Sequence, residues 1–221
     1  MIAPYIVGIG GPSGSGKSSI AKYIISELGQ ENVALLPMDN FYKPLNEIEC
    51  QQAQNEELNF DTPDAVDLAH IRACLKELKA GHSVEIPVYS FASYNRIPNV
   101  THTVCSAKIV VLDGLYALSD PGILDLLDLK VYVDVDLDVC LARRLLRDIV
   151  HRGKNIDTCM HQWITRTRCD LEKNVTPTLH RADIVIPNCD HSKDATIQMV
   201  VGHLKNVLNT EAKAEHVSLS H

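Results

Sequence analysis

No apolar run in this 221-residue chain approaches the roughly 18 residues that a membrane-spanning helix needs; the longest are strand-length blocks such as Ile109-Val110-Val111-Leu112. The start, Met1-Ile2-Ala3-Pro4, lacks a basic stretch ahead of an apolar one, so a secretory leader is not expected and a cytoplasmic protein is. No C-x-x-C pair occurs among the seven cysteines, an odd number. That argues against both a disulfide framework and a zinc site, and fits a reducing compartment. The ten histidines include no H-x-x-x-H spacing and read as surface or incidental residues rather than metal ligands. Internal repeats and low-complexity tracts are also missing. Basic residues number 21 against 28 acidic ones, a net charge of −7, whereas a nucleic-acid binder usually leans the other way. One segment departs from that balance. From Arg143 to Arg168 the chain is strongly basic, which suits a small anionic ligand better than a long polyanion.

What is present is the composition of an ordinary globular protein, 45% hydrophobic and 22% charged. Strand-length apolar runs alternate with amphipathic helical stretches, the pattern of a parallel sheet wrapped by helices. Strands are predicted over 5–10, 33–37, 108–113, 129–135 and 183–187, and helices over 17–28, 136–153 and 192–208. Thr62-Pro63 reads as an N-cap with proline at the first helical position, opening a helix to about Lys79. Asp136 reads as the cap of the helix that ends near Gly153. Between Gly81 and Cys105 two short strands, 84–89 and 100–105, flank a turn-rich centre: a β-rich insertion able to lean over a ligand. The expected organisation is one domain over 1–208, with that insertion at 81–105, a lid region at 144–172 and a flexible tail at 209–221.

The strongest motif is Gly11-Pro12-Ser13-Gly14-Ser15-Gly16-Lys17-Ser18, which matches G-x-x-x-x-G-K-[ST] between a strand and a helix. Such glycines let backbone N–H groups turn in on phosphates where the helix dipole also favours anions. The phosphate-binding set is therefore Gly11, Ser13, Gly14, Ser15, Gly16, Lys17, Ser18 and Ser19, with Lys17 on the outer phosphates and Ser18 on Mg2+. An incidental Gly-Ser loop is the competing reading. Asp113, ending an apolar strand, is the candidate second metal residue. Asp39, just past the second strand, should emerge where ligands sit in this architecture and could take a proton from an acceptor hydroxyl; a turn-forming aspartate is the alternative. Arg143, Arg144, Arg147, Arg152 and Lys154 recur at helical spacing beside an apolar stripe, with Asp148 the one acid between Leu141 and His151. Basic residues so grouped suit a flap over transferring phosphoryl, against the alternative of a solvated face. These pieces point to a P-loop kinase that moves the terminal phosphoryl group of a nucleoside triphosphate onto a small-molecule hydroxyl.

With these motifs in place the chain resembles the uridine kinase (uridine–cytidine kinase) family along nearly its whole length. The phrases run in order: the P-loop, Met38-Asp39-Asn40-Phe41-Tyr42-Lys43-Pro44, Asn59-Phe60-Asp61-Thr62-Pro63-Asp64-Ala65 and Pro87-Val88-Tyr89-Ser90-Phe91. Val133-Asp134-Val135-Asp136, Leu141-Ala142-Arg143-Arg144, Arg147-Asp148-Ile149, Arg152-Gly153 and 181–187 follow. The resemblance implies a P-loop NTPase fold, α/β with a doubly wound, mostly parallel five-stranded sheet, the β-rich insertion and a helical lid. It implies ATP and Mg2+ as cofactors, and phosphorylation of uridine or cytidine at the 5′-hydroxyl in pyrimidine salvage. It also implies a homo-oligomer, often a tetramer, with no nucleic-acid or membrane partner. Carried over residue by residue, Asp39 is the general base, with Lys17 and Arg147 also catalytic. Asp61 and Arg144 hold ribose hydroxyls with Gln162 nearby, and Tyr42, Phe60, Tyr89 and Phe91 line the nucleoside pocket. Arg147, Arg152 and Lys154 belong to the lid.

Three positions depart from the family pattern. Asp113 stands where glutamate is usual, Ser90 interrupts a Tyr-Asp-Phe phrase, and Tyr94 replaces a histidine used against the pyrimidine edge. The last motivates an alternative, a sibling kinase acting on pantothenate, a sugar phosphate or nicotinamide riboside. A non-catalytic nucleotide-binding protein is a further alternative, but the chain carries neither the N-K-x-D of GTPase switches nor an L-S-G-G-Q-like signature.

Overall fold

In the computed structural model, residues 3–188 and 192–218 are described. Met1 and Ile2, Cys189 among the cysteines, and the last three residues of the expected tail lie outside that range. The described strands are Tyr5–Gly10 (β1), Val33–Pro37 (β2), Val84–Ser90 (β3), Asn95–Val104 (β4), Ile109–Asp113 (β5), Leu129–Asp134 (β6) and Ile184–Pro187 (β7). Five of them form one sheet in the order β2-β5-β1-β6-β7, every neighbouring pair parallel, and β3 and β4 form a separate antiparallel hairpin. All five residues of β5, and β1 from Ile6 onward, are buried, as expected of parallel strands covered on both faces. The α/β architecture and the five-stranded sheet thus match the sequence expectation.

The described helices are Lys17–Leu28 (α1), Glu47–Gln54 (α2), Leu68–Lys79 (α3), Pro121–Leu124 (α4), Leu137–Leu146 (α5), Ile156–Gln162 (α6), Arg168–Asp170 (α7) and Ser192–Ser218 (α8). Helix α1 buries Ile20, Ala21, Ile24 and Leu28, one stripe at helical spacing, and ends where Gly29 turns to φ 88°. Ile71, Leu75 and Leu78 of α3 and Val200, Val201 and Leu204 of α8 join the sheet residues in one core.

Several boundaries differ from the sequence pattern. Thr62-Pro63 opens only a short turn, Pro63–Ala65, and its threonine makes no side-chain cap; α3 begins at Leu68, where the Asp67 carboxylate accepts from the His70 N–H at 3.0 Å. Asp136 sits at the N-cap of α5 without a side-chain cap bond, and the helix gives way at Arg147–His151 to a wider π turn well before Gly153. The strand expected at 100–105 starts earlier, at Asn95, because the hairpin pairs almost to its tip, Ser90 opposite Asn95. Helix α8 continues past Leu208 to Ser218, into the segment expected to be a flexible tail. Helix α2 was not predicted; Asn46 and Glu49 close a reciprocal capping box around its first turn.

Candidate active site

In the parallel register Ile9 of β1 lies beside Asp113 of β5, which lies beside Pro37 of β2. The loop after β1, Asp113 and the turn Met38–Phe41 that carries Asp39 therefore share one carboxyl-terminal sheet edge. Gly114 sets how closely the last two approach: a Cβ there would lie 2.2 Å from Met38 Cβ. The Tyr116 N–H also donates to Met38 Sδ at 3.4 Å, fixing the Asp39 turn on the loop after β5.

The glycine-rich loop is braced from behind. Gly16 is left-handed, φ 94° and ψ 17°, and a Cβ would come within 2.4 Å of Asn188 Nδ2. That amide donates to the Ser15 carbonyl at 2.6 Å, while Arg143 Nη2 donates to the Asn188 carbonyl at 3.0 Å. Lys17 is buried and donates through Nζ to the Pro12 carbonyl at 2.8 Å. Burial lowers its pKa, against which the Asp113 and Asp39 carboxylates act. Burial likewise pushes the Asp113 carboxyl up, with a hydrogen bond from Ser18 and the Lys17 charge drawing it back. Among the described residues, Asp113 Oδ1 is buried with no hydrogen-bond partner. An orphaned carboxylate oxygen beside a serine hydroxyl fits Mg2+, which takes few protein oxygens and keeps the rest of its shell for water and phosphate.

These groups open into a cavity of about 530 Å³. Ser13, Gly14, Gly16, Lys17, Ser18, Ser19, Asp39 and Asp113 line one end; Tyr42, Phe60, Asp61, Tyr89, Phe91, Tyr94, Arg144, Arg147, Arg152, Lys154 and Gln162 line the rest. Of the residues singled out in the sequence, Gly11 and Ser15 do not reach it. Gly11 packs against the Val133 carbonyl, and Ser15 is fully buried with a hydroxyl that finds no partner among the described residues.

An aromatic wall rises from the hairpin and the Asp39 turn. Tyr42 lies 4.9 Å from Tyr89 and 5.7 Å, edge-on, from Phe60, and Phe60 stacks on Tyr94 at 5.6 Å with 19° between planes. Tyr94 reaches that position in a left-handed conformation, φ 53°, at the hairpin tip. Arg96 holds the hairpin to the turn, donating to the Tyr42 carbonyl at 2.7 Å and the Phe41 carbonyl at 3.2 Å. The opposite wall is ionic. Arg144 donates to both Asp61 oxygens, at 2.8 and 2.7 Å, and Thr167 Oγ1 donates to the second at 2.7 Å. Burial alone would raise the Asp61 carboxyl; the Arg144 charge and these hydrogen bonds outweigh it and hold the group below the usual carboxylate range.

The sequence profile of the Phosphoribulokinase / Uridine kinase family matches residues 6–195. The chain belongs to that family. Among curated relatives, a uridine kinase of Saccharomyces cerevisiae is 44% identical over 214 residues, covering 97% of this chain and 42% of the yeast protein. A uridine kinase of Clostridium perfringens is 37% identical over 208 residues, covering 94% of this chain and 98% of that protein. The chain thus spans less than half the length of the yeast relative but nearly all of the clostridial one. Among solved structures, phosphoribulokinase from Rhodobacter spheroides shares the fold with a TM-score of 0.63 at 14% identity, over 87% of this chain and 75% of that one. No helix among the described residues is long and apolar enough to cross a membrane.

Sequence reasoning within this family missed several residues of the site. Thr167 lies 106 positions from Asp61 and carries no motif of its own. Arg166, which no motif marked, donates to the Glu57 carbonyl beside the expected Gln162, which donates to that of Glu56, closing the ionic wall against the segment before Asn59. Asn188 behind the P-loop has no local signature either. Asp148 did have a signal, as an acid four residues from both Arg144 and Arg152.

Proposed function

We propose that this chain transfers the γ-phosphoryl group of ATP to the 5′-hydroxyl of uridine or cytidine, giving ADP and the nucleoside monophosphate. The observation that carries this reading is a single cavity with a phosphate end at Lys17 and Ser18, an acceptor end at Asp61 and Arg144, and Asp39 lining the same space. Its volume is in the range of small-ligand sites. Family membership and relatives named uridine kinase support the pyrimidine nucleoside over pantothenate, a sugar phosphate or nicotinamide riboside.

On this reading the P-loop amides and Lys17 grip the triphosphate at the N-terminus of α1. Asp39 accepts the 5′-hydroxyl proton as that oxygen bonds to the γ-phosphorus and the bond to the β–γ bridging oxygen breaks. Arg147, Arg152 and Lys154 answer the charge on the transferred group. Asp61, Arg144 and Gln162 meet the ribose hydroxyls, and Tyr42, Phe60, Tyr89, Phe91 and Tyr94 enclose the base. Ser18 and Asp113 would hold Mg2+, which when bound offsets phosphate charge. Residues 81–105 serve as the acceptor-side insertion and 144–172 as the lid.

The test is an ADP-release assay with uridine, cytidine, pantothenate, a sugar phosphate and nicotinamide riboside as acceptors. Uridine or cytidine is expected to give the highest kcat/KM. Another acceptor outpacing both, or ADP release independent of any acceptor, overturns the proposal.

A further inference from the structure

Asp148 is a buried charge to which the proposed chemistry assigns no role. Its side chain is 3% exposed, yet three guanidiniums converge on it. Arg147 Nε donates to Oδ1 at 2.8 Å, Arg152 Nη1 donates to the same oxygen at 3.2 Å, and Arg144 Nε lies 3.5 Å from Oδ2. Burial pushes the carboxyl up, but the Arg147 hydrogen bond and the three cations outweigh it and hold it below the usual carboxylate range. Asp148 is therefore ionised and fully committed to arginines.

The backbone explains how the cluster forms. Helix α5 stops at Leu146 and the next five residues, Arg147–His151, make a π turn. A π turn closes i→i+5 backbone hydrogen bonds and is wider than an α turn, so it brings Arg147 closer to the face of Arg152 than an α turn would. Both line the cavity, where the charge of one disfavours the charge of the other. Asp148 lies between them and engages Arg147 through Nε, so among the described residues both terminal nitrogens of that guanidinium stay available to an anion. Arg152 is held on its other side by Phe91, its guanidinium carbon 3.9 Å from the ring centroid.

We propose that Asp148 is a positioning residue: it gathers Arg147 and Arg152 into one forked site that receives the transferred phosphoryl group. The inference rests on the phosphoryl-transfer reading above and adds the residue through which the lid arginines are aimed.

A double-mutant cycle tests it. Turnover at saturating ATP and uridine is measured for the wild-type chain, Asp148→Asn, Arg147→Gln and the double variant. Asp148→Asn is expected to lower kcat by about ten-fold or more in the wild-type background and by a smaller factor when Arg147 is already gone, because only Arg152 then loses its anchor. Uridine affinity without ATP, measured by calorimetry, should stay within about two-fold, because Asp61 still grips Arg144 through two bonds. An equal loss in both backgrounds would mean that Asp148 supports folding alone, and overturns the proposal. Asp148→Glu keeps the buried charge while moving it by one methylene; it is carried through the same cycle in case Asp148→Asn does not fold, and independence from Arg147 overturns the proposal there too. A parallel cycle on binding of a non-hydrolysable ATP analogue separates the two readings. If the wild-type chain phosphorylates neither uridine nor cytidine, the function fails, yet loss of analogue affinity that depends on Arg147 still supports the role of Asp148, and loss that ignores Arg147 overturns it.

Discussion

Arg144 and Asp61 face each other as a two-point ion pair, guanidinium nitrogens 2.8 and 2.7 Å from the carboxylate oxygens, although 83 positions separate them in sequence. The pair joins α5 to the segment before α3, and the Tyr116 hydroxyl fixes that segment further by donating to the Asp61 carbonyl. Removing one partner of a buried pair leaves the other charge uncompensated. Asp61→Asn is expected to cost roughly 3–5 kcal/mol of unfolding free energy and to raise the acceptor KM. Urea denaturation with initial-rate kinetics checks both; a change in stability without any change in acceptor KM would remove Asp61 from the acceptor site.

Acid should act through the same carboxylates. Asp61 and Asp148 are both held below their ordinary value of 3.8, so the unfolded chain takes up these protons at higher pH than the folded one. Their stabilisation is then fully present above the ordinary carboxylate range and is lost as pH falls through the depressed folded values. Asp113, whose carboxyl is raised, has the opposite sign: its folded-state contribution is present below the unfolded value and lost as pH rises through the raised one. Stability measured by urea titration at a series of pH values below about 4 should fall less steeply in Asp61→Asn than in the wild-type chain. Parallel curves would contradict the linkage.

Asp39 stands on the turn after β2, exposed to the cavity and facing the same space as Lys17 and Asp113. Asp39→Asn removes the proposed proton acceptor while nearly preserving shape, so kcat should fall by about 10²–10⁴-fold. Affinity for an ATP analogue, measured by calorimetry, should hold. An unimpaired rate would refute the general-base role.

Tyr94 lines the cavity, lies flat against Phe60 and carries Lys154 Nζ 5.4 Å from its ring centroid. Tyr94→His shortens that arm and substitutes a ring nitrogen for the hydroxyl. The kcat/KM ratio of cytidine to uridine should rise. An unchanged ratio would put Tyr94 outside the base pocket.

Gly16→Ala tests the brace behind the P-loop. The left-handed backbone alone costs an alanine roughly 1–2 kcal/mol, and its Cβ would collide with Asn188 at 2.4 Å. A lowered Tm together with weakened binding of the ATP analogue is expected. Wild-type values in both would show that the loop adapts without Asn188.

Where a structural property depends on residues close in sequence, it was legible before the fold. The strand–loop–helix around Lys17 follows from a local motif, and the five sheet strands from apolar runs bounded by Gly, Pro and Asp. The helical stripe Ile20-Ala21-Ile24-Leu28 follows from period alone. Capping was less legible: Thr62 and Asp136 have the right chemistry in the right order, but neither side chain makes a cap bond to the helix amides. The family likeness brought Asp61, Arg144 and the aromatic residues to the pocket; their mutual contacts came only from the fold. Periodicity read α5 as running on to Gly153, and so gave no sign of the π turn that gathers Arg147 and Arg152 around Asp148. Local order along the chain determined that this protein would carry a phosphate loop on a parallel sheet. Tertiary packing alone decided which distant charges would be desolvated against one another, because ion pairing in a buried wall depends on three-dimensional separation and dielectric, neither of which is written in residue spacing.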